Sequence, residues 1–384
     1  MRDIDALGRL GGDEFVIVAE GMSLSAGPEL IAERLLEALK QPFELPGAEK
    51  NRLTVTASVG IAAGDRISAE ELLRDADIAM YRAKWDGKNR YVVFESGMQD
   101  AVQSRMELEM DLRVAFENDE FFLVYQPTFN LREMTPTGME ALIRWRSPVR
   151  GVVQPDDFIP LLEETGLICE VGAWVLHEAC RQGAAWRRRG YGVGMAVNVS
   201  ARQLDTDDFV TEVRDALAQS GLEPGALTIE ITETTLMGNT DETARRLVAI
   251  KALGVRIAID DFGTGYSSLA YLQRFPVDAL KIDRSFISRV SQDPEGETLI
   301  RTLVQLGKSL SIETLAEGIE QSRELSLLKE EHCDSGQGFL FARPLDVAAS
   351  ESFLEDWIGG AASPGAAAVA ADIVALAADL SPSA

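Results

Sequence analysis

The pattern of apolar and polar positions changes along the chain and predicts four segments. In residues 1–94, short strand-like runs such as "EFVIVAE" alternate with helical runs such as "ELIAERLLEALK". A helical linker follows at residues 95–111, with apolar side chains on one helical face. Strand-like and helical runs then alternate over residues 112–358. Residues 359–384 are rich in alanine and low in complexity, which is typical of a mobile tail or a loosely docked helix.

Eight β-segments stand out in the third segment, and the runs between them are typical of amphipathic helices that end in glycine. Such a repeat over roughly 240 residues has the length of a (β/α)8 barrel. We therefore predict an α/β fold in which residues 112–358 form a TIM-like (β/α)8 barrel. The predicted strands are "FFLVYQP", "GMEALIRW", "VGMAVNVS", "ALTIEIT", "VRIAIDD", "DALKID", "IETLAEGIE" and "GQGFLFARP".

The net charge narrows the class of partner. With 37 basic and 62 acidic residues, the chain has a formal charge of −25. Binding to a nucleic-acid polymer or an anionic membrane requires clustered Lys and Arg, so neither partner is expected. A run of about 18 apolar residues, the signature of a transmembrane helix, is not found in the sequence. A small anionic ligand is compatible with this charge where a bound cation reverses the local field.

Few residues are suited to binding zinc or to forming disulfides. The cysteines Cys169, Cys180 and Cys333 have no CxxC spacing, which fits a reducing cytoplasm. The only histidines are His177 and His332. A metal site would therefore consist mainly of oxygen ligands, which suits Mg²⁺ or Mn²⁺ better than zinc.

Polar side chains recur where the predicted strands end. In a (β/α)8 barrel, the C-terminal ends of the strands line the active face. Acids inside apolar strands are costly unless they are paired or bind a metal, and several acids at one mouth repel each other without cations between them. The sequence therefore predicts a site at this end of the barrel. Its candidate residues are Glu140, Arg144, Asn198, Glu230, Glu233, Asp260, Asp261, Lys281, Asp283, Glu317 and Gln337.

Several of these residues also have an ordinary structural interpretation. A single acid at a strand end is often only a helix cap, and a lysine in a strand often only extends its charged end to solvent. These alternatives would have to hold at five strands at once for the site to be absent. The structural alternatives are as follows: Asp260 or Asp261 caps a helix, Glu140 forms an ion pair with Arg144 or Arg146, Asn198 belongs to a strand-end turn, Lys281 is exposed at the surface, and Glu317 lies in a solvated turn.

The motifs of the barrel region resemble those of the EAL domain. "MEALIRW" contains the signature Glu140-Ala141-Leu142, and Arg144 follows it. "YQP", "VNVS", "EITE", "DDFGTGYSSL", "LKIDRSF", "AEGIE" and "GQGFLFARP" also resemble the family's motifs, in the family's order. EAL domains are TIM-like barrels that hydrolyse cyclic di-GMP to the linear dinucleotide pGpG with Mg²⁺ or Mn²⁺. The resemblance therefore implies this activity and two bound ions.

The resemblance also implies roles for single residues. One ion would be bound by Glu140, Asn198, Glu230 and Asp260. Asp260 would bridge to a second ion, which is also bound by Asp261 and Glu317. The catalytic residues would be Lys281, Glu317 and Glu233. Lys281 would hold or orient the attacking water, and Glu233 would anchor the Gly-rich loop at residues 262–269. The nucleotide would be contacted by Gln126, Arg144, Asp283 and Gln337.

Residues 1–94 resemble the GGDEF domain, which makes cyclic di-GMP from two molecules of GTP. "RLGGDEFVIV", "SVGIA" and "ADIAMYRAKWDGKNRYVVF" carry this resemblance. Arg2 and Asp5 match the family's inhibitory product site, here a vestigial one. The family's first strand and helices, which carry a metal-binding aspartate, do not precede the signature, so we expect no cyclase activity from this chain. In a longer parent protein, the family implies an upstream sensor domain or membrane segment.

Two other functions are compatible with parts of this pattern. A catalytically silent EAL receptor would bind cyclic di-GMP and signal through a partner surface, but degenerate EAL domains usually lose metal ligands or the loop sequence, which are retained here. An unrelated barrel enzyme that forms an enolate would need a positioned Lys or His base. We expect a cytoplasmic phosphodiesterase that forms a homodimer through its EAL domain.

Overall fold

The protein divides into two compact units, Met1–Asp111 and Leu112–Ala384. The structure is a computed structural model that describes residues 6–19, 27–44, 52–64, 68–236, 240–263, 274–291 and 294–358. Within these ranges no helix has both the length and the apolar composition needed to cross a membrane. The predicted tail at 359–384 and the residues Arg2 and Asp5 lie outside the described residues.

The described residues of the N-terminal unit form short strands and helices of the predicted types. Its elements are β1 (Ala6–Gly11), β2 (Glu14–Val18), α1 (Glu29–Leu39), β3 (Phe43–Glu44), β4 (Arg52–Leu53), β5 (Val59–Ile61), α2 (Ala69–Trp85) and β6 (Tyr91–Val93). β1 and β2 form an antiparallel hairpin around the Gly-Gly-Asp-Glu signature. Helix α2 begins after Ser68, whose hydroxyl accepts a hydrogen bond from Glu71 N at 3.2 Å, and it buries Asp75, Ala79 and Ala83 on one face. Helix α3 (Met98–Ala115) follows β6.

The second unit is a closed eight-stranded barrel, as the alternating pattern predicts. The sheet order is β10-β11-β12-β13-β14-β15-β7-β8, and β8 pairs with β10 to close the ring. β9 pairs with β8 outside this ring. The strands are β7 (Phe121–Asn130), β8 (Thr135–Ser147), β9 (Gly151–Val153), β10 (Gly194–Asn198), β11 (Leu227–Thr232), β12 (Arg256–Phe262), β13 (Ala279–Ile282), β14 (Glu313–Ala316) and β15 (Ser335–Gly336).

Helices connect most of the strands on the outside of the barrel. The described helices are α4 (Pro155–Thr165), α5 (Ile168–Arg188), α6 (Ala201–Leu204), α7 (Phe209–Ser220), α8 (Glu233–Leu236), α9 (Thr240–Ala252), α10 (Arg284–Ile287), α11 (Pro294–Leu310), α12 (Ser322–Glu330) and α13 (Val347–Ile358). Apolar residues between strands and helices form the core. Phe121, Trp145 and Phe158 pack with ring centroids 5.7–6.2 Å apart, and Tyr125 meets Trp186 edge to face at 4.8 Å.

The first barrel strand departs from the parallel arrangement of a regular (β/α)8 barrel. β7 runs antiparallel to both of its neighbours, β8 and β15. The reason is a tight turn in place of a helix after β7. The Asn130 side chain accepts hydrogen bonds from the backbone N–H groups of Arg132 and Glu133, and Met134 adopts a positive φ of 54°. The chain therefore returns as a β-hairpin.

The eighth predicted strand is much shorter than the pattern suggests. Of the predicted segment "GQGFLFARP", Gly336 alone lies in β15 (Ser335–Gly336), because the chain turns just after Gln337. Phe341 N and Ala342 N both donate to the Gly338 carbonyl, at 3.1 and 3.2 Å. At Gly338, a Cβ would lie 2.1 Å from the Ile319 carbonyl oxygen and 2.2 Å from Ile319 N. The turn therefore requires glycine at this position.

We predict that Gly338→Ala destabilises the barrel, whereas Gly192→Ala does not. A methyl group added at Gly338 would overlap the Ile319 backbone and push the two segments apart, which lowers the free energy of unfolding by about 1–3 kcal/mol. A methyl at Gly192 meets no described atom within 4 Å, so the free energy of unfolding should change by less than about 1 kcal/mol. Urea denaturation of the full chain measures both values. Equal stabilities for the two variants would contradict the tight contact at Gly338.

Candidate active site

The predicted polar residues converge at one end of the barrel. Neighbouring strands are in register such that Asn198 pairs with Glu230, Thr232 with Asp260, and Gln126 with Glu140. Their strands are otherwise apolar: in β11, Glu230 lies between the buried residues Ile229 and Ile231. The barrel core therefore holds each strand rigidly, and the polar side chain at its end points to the same centre as its neighbours.

Lys281 lies in the middle of four carboxylates. Its Nζ is 2.6 Å from Glu230 Oε2, 2.7 Å from Glu317 Oε1, 3.1 Å from Asp260 Oδ2 and 3.6 Å from Glu140 Oε1. The Lys281 side chain is only 1% exposed. The interpretation of Lys281 as a surface lysine is therefore wrong. Each acid comes from a different strand or strand end, so a single ammonium group connects four parts of the barrel.

The excess of negative charge changes the pKa values in this cluster. Burial alone would lower the pKa of Lys281, but the surrounding carboxylates raise it well above its usual value. Burial raises the pKa of Glu230 well above the ordinary range and that of Glu317 to about 8, although Lys281 opposes both shifts. Glu140 is different: burial opposes its ionisation, but Lys281, Gln337 and Asn198 together lower its pKa.

Two amide side chains fix the orientation of Glu140. Asn198 Nδ2 donates to Glu140 Oε1 at 2.6 Å, and Gln337 Nε2 donates to Glu140 Oε2 at 2.6 Å. Gln337 Nε2 also lies 3.1 Å from Glu317 Oε1. Asn198 is thus more than a strand-end turn residue. Glu140 is 4% exposed, and its ionised form is stabilised by these donors and by Lys281.

Asp260 and Asp261 lie within β12, where the strand is irregular. The pairing of β12 with β13 shifts register between Ile259 and Phe262, and Asp261 has a positive φ of 53°. Asp261 N donates to Asp260 Oδ1 at 2.9 Å. One carboxylate oxygen each from Asp260, Asp261 and Glu317 can lie within 4.8 Å of the others, a spacing suited to a cation.

The remaining candidates lie around this cluster with other partners. Gln126 is 8% exposed and its Nε2 donates to the Ala342 carbonyl at 3.2 Å. Arg144 is half-buried; burial lowers its pKa, and Glu140 and Asp156 act in the opposite direction. The Asp283 side chain accepts a hydrogen bond from Ser285 N at 3.0 Å and caps α10.

Glu233 holds the first residue of the Gly-rich segment that follows Phe262. Glu233 is 6% exposed, and its Oε2 accepts a hydrogen bond from Gly263 N at 3.1 Å. Its Oε1 is buried and has no hydrogen-bond partner among the described residues. Residues 264–273 lie outside the described ranges, so the predicted loop is observed only at its start.

Phe339 is a residue that the sequence patterns did not single out. It lies two residues after Gln337, its side chain is 47% exposed, and the Arg343 guanidinium lies 4.4 Å from its ring centroid. An exposed aromatic ring backed by a cation is suited to stacking against a flat ligand group. The signal was an aromatic residue and an arginine four positions apart in "GFLFAR".

Comparison with known proteins identifies the family. Residues 109–344 match the model of the EAL domain. The chain belongs to the EAL domain family. Residues 1–90 match the model described as the diguanylate cyclase, GGDEF domain, and this N-terminal match is partial. The resemblance seen in the motifs is thereby confirmed for both regions.

EAL proteins of known name are similar over most of the chain. It is 42% identical over 348 residues to the bifunctional diguanylate cyclase/cyclic di-GMP phosphodiesterase MucR of Pseudomonas aeruginosa, covering 90% of this chain and 50% of MucR. The cyclic di-GMP phosphodiesterase NbdA of the same organism is 39% identical, with coverages of 95% and 46%. The chain thus spans about half the length of these curated relatives.

The barrel is also similar to solved EAL structures. A structure described as the PaMucR phosphodiesterase in complex with c-di-GMP is 43% identical, with a TM-score of 0.61. The similarity covers 62% of this chain and 97% of that one. The EAL enzyme Bd1971, in a form bound to cAMP and cyclic di-GMP, is 34% identical with a TM-score of 0.63, covering 66% and 69% of the two chains.

We predict that Lys281→Met strongly destabilises this EAL barrel in EDTA. Without the ammonium, four acids face one another in a buried cluster, and removing one partner of such a cluster costs about 3–5 kcal/mol. The loss of unfolding free energy relative to the unmodified protein should grow from pH 6 to pH 8, because the acids lose the protons that neutralise them as the pH rises. Lys251→Met is the control, since Lys251 pairs with Asp278 at a part-exposed site where a pair contributes about 1 kcal/mol or less. Denaturant midpoints measure both, and equal losses would contradict a central role of Lys281.

Proposed function

We propose that this chain hydrolyses cyclic di-GMP to linear pGpG with Mg²⁺ or Mn²⁺. The observation that carries the proposal is the buried group of carboxylates around Lys281, which lie in or directly after four different barrel strands. Relatives named as cyclic di-GMP phosphodiesterases and a relative's complex with c-di-GMP support this substrate. Every acid that the family motifs require is present in the chain, which supports hydrolysis over a silent receptor.

The donor set fits two hard divalent cations. It consists of carboxylate and amide oxygens, carries excess negative charge, and includes three acids with oxygens within 4.8 Å of one another. We infer that Glu140, Asn198, Glu230 and Asp260 hold one ion, and that Asp260, Asp261 and Glu317 hold the second. Bound cations would neutralise phosphate oxygens, lower the pKa of a water molecule and stabilise the leaving 3′-oxygen.

The protein's own groups have distinct tasks in this reaction. Lys281, whose Nζ lies within 3.6 Å of four carboxylates, donates hydrogen bonds and orients a water. Arg144 offers a planar fork of donors to a phosphate. We infer that Gln126 and Asp283 contact the nucleotide. Glu233 holds Gly263 and thus the start of the loop beside Asp261.

The other parts of the proposal concern the whole protein. Arg2 and Asp5 remain candidates for a vestigial inhibitory site. We also infer a homodimer formed through the EAL domain, in the cytoplasm.

We expect purified protein to convert cyclic di-GMP to pGpG in the presence of Mn²⁺ or Mg²⁺, and to stop in EDTA. Glu140→Ala and Asp260→Ala should each lower kcat by at least about 100-fold, because even outer partners of metal ligands cost 10–100-fold. Glu133→Ala, an exposed acid in the turn after β7, should keep full activity. Anion-exchange chromatography of the nucleotides measures turnover. Tight binding of an intact dinucleotide would instead indicate a receptor.

Metal binding should be coupled to proton release. The pKa of Glu317 is about 8, so this acid is mostly protonated at pH 6 and must lose its proton to bind a cation. The apparent Mn²⁺ affinity should therefore rise by up to about tenfold per pH unit between pH 6 and pH 8. Calorimetry in two buffers of different ionisation enthalpy measures the released protons. Glu317→Gln should abolish this release at its site, and a pH-independent affinity in the unmodified protein would refute the coupling.

A further inference from the structure

The side-chain amide of Gln337 lies between two acids of the central cluster. Its Nε2 is 2.6 Å from Glu140 Oε2 and 3.1 Å from Glu317 Oε1, and the residue is 6% exposed. Both protons of the amide nitrogen can thus be donated to carboxylates. Glu140 and Glu317 belong to different ions in the proposed two-metal centre.

The orientation of this amide follows from electrostatics. If the nitrogen and oxygen of Gln337 were exchanged, its carbonyl oxygen would face two carboxylate oxygens, and these acceptors would repel each other. The nitrogen therefore faces Glu140 and Glu317. The Oε1 atom is buried and finds no hydrogen-bond partner among the residues that the structure describes. Such an acceptor is suited to a water or ligand group in the centre.

The backbone of Gln337 is hydrogen-bonded to β14, which ends just before Glu317. Gln337 N donates to the Ala316 carbonyl at 2.8 Å, and Ile319 N donates to the Gln337 carbonyl at 3.0 Å. Gly338 packs directly against the Ile319 backbone. The distance between the Gln337 amide and Glu317 is therefore set by the sheet. The hydrogen bond from Gln337 Nε2 to Glu140 Oε2 then fixes Glu140 relative to Glu317 across the barrel.

Gln126 provides a contrast within the same site. It is similarly buried, at 8% exposure, and it pairs in register with Glu140 across β7 and β8. Its Nε2 nevertheless donates to the neutral carbonyl of Ala342, at 3.2 Å. The two glutamines thus differ in what their amide groups hold. Of the two, Gln337 is the one whose amide nitrogen donates to acids of the cluster among the described residues.

We propose that Gln337 is a positioning residue that fixes Glu140 and Glu317 relative to each other and so couples the binding of the two divalent cations. This inference rests on the proposed metal-dependent function of the site. It assigns Gln337 to the metal centre instead of to the nucleotide. Hydrogen bonds to ligand carboxylates select one rotamer and orientation before the ion arrives.

The loss of this amide should weaken metal binding without abolishing it. Glu140 would keep its hydrogen bond from Asn198, and Glu317 would keep its contact with Lys281. Each acid would, however, be free to move independently of the other. Removal of an outer partner of a metal ligand typically lowers metal affinity by about 10–100-fold. We expect a loss in this range and less cooperative binding of the second ion.

Mn²⁺ titration of the full chain in the absence of nucleotide, followed by EPR of the free ion, tests the proposal. Gln337→Met keeps nearly the same side-chain shape but cannot donate, and should weaken Mn²⁺ binding about 10–100-fold. Gln337→Asn keeps an amide but is one methylene shorter, and should lose affinity in the same direction. Gln126→Met is the matched control and should bind Mn²⁺ as tightly as the unmodified protein. Circular dichroism verifies that all three fold.

Steady-state kinetics with cyclic di-GMP separate a positioning role from a nucleotide contact. For Gln337→Met, excess Mn²⁺ should restore most of kcat and leave KM near its original value. Unchanged Mn²⁺ affinity in both Gln337 variants, with a raised KM, would overturn the proposal and return Gln337 to the nucleotide site. An unmodified protein that binds no Mn²⁺ would instead refute the proposed function itself.

Discussion

The structure of the site depends on one buried ammonium group surrounded by four carboxylates. Lys281 Nζ lies within 3.6 Å of a carboxylate oxygen of each of Glu140, Glu230, Asp260 and Glu317. One positive charge cannot neutralise four negative charges. Burial, and after it repulsion from the neighbouring carboxylates, raises the pKa values of Glu230 and Glu317 although Lys281 opposes both shifts. The cluster is therefore suited to taking up further positive charge, either as protons or as the divalent cations that we propose.

The barrel makes this costly arrangement possible. Buried acids repel one another, so the strands that carry them need an independent source of stability. The apolar residues of β11, β12 and β13 supply it: Ile229, Ile257, Ile259 and Leu280 are almost completely buried. Hydrophobic packing fixes the strands, and the fixed strands hold the acids closer together than their charges alone would permit.

The periodicity of the sequence predicted the barrel and the set of acids, because both depend on local patterns. Apolar runs identify strands, and a polar residue at the end of each run marks the active face. Glu230 and Lys281 were recognisable in this way. The family, seen in the motifs, is confirmed by the match of residues 109–344. The individual roles of the site residues remain predictions.

Other features could not be predicted from local patterns because they depend on contacts between distant residues or on single backbone angles. The reversed direction of β7 follows from the Asn130 side chain and the positive φ of Met134. The early end of β15 follows from the contact of Gly338 with Ile319. The partners of the Gln337 amide are separated from it by 197 and 20 residues along the chain. No sequence period reports such distances.

Contacts at the end of β12 fix the backbone next to the carboxylate cluster. Asp283 caps α10, and this helix carries Phe286, which is 9% exposed. At Gly263, where φ is 98°, a Cβ would lie 3.0 Å from the Phe286 ring, so the close approach suits glycine. Glu233 holds the Gly263 N–H from the other side. With Asp261 also at positive φ, the chain turns away just after the paired acids. A helix cap and a buried glutamate thus fix the point where the Gly-rich segment begins, and the carboxylates of Asp260 and Asp261 stay directed to the centre.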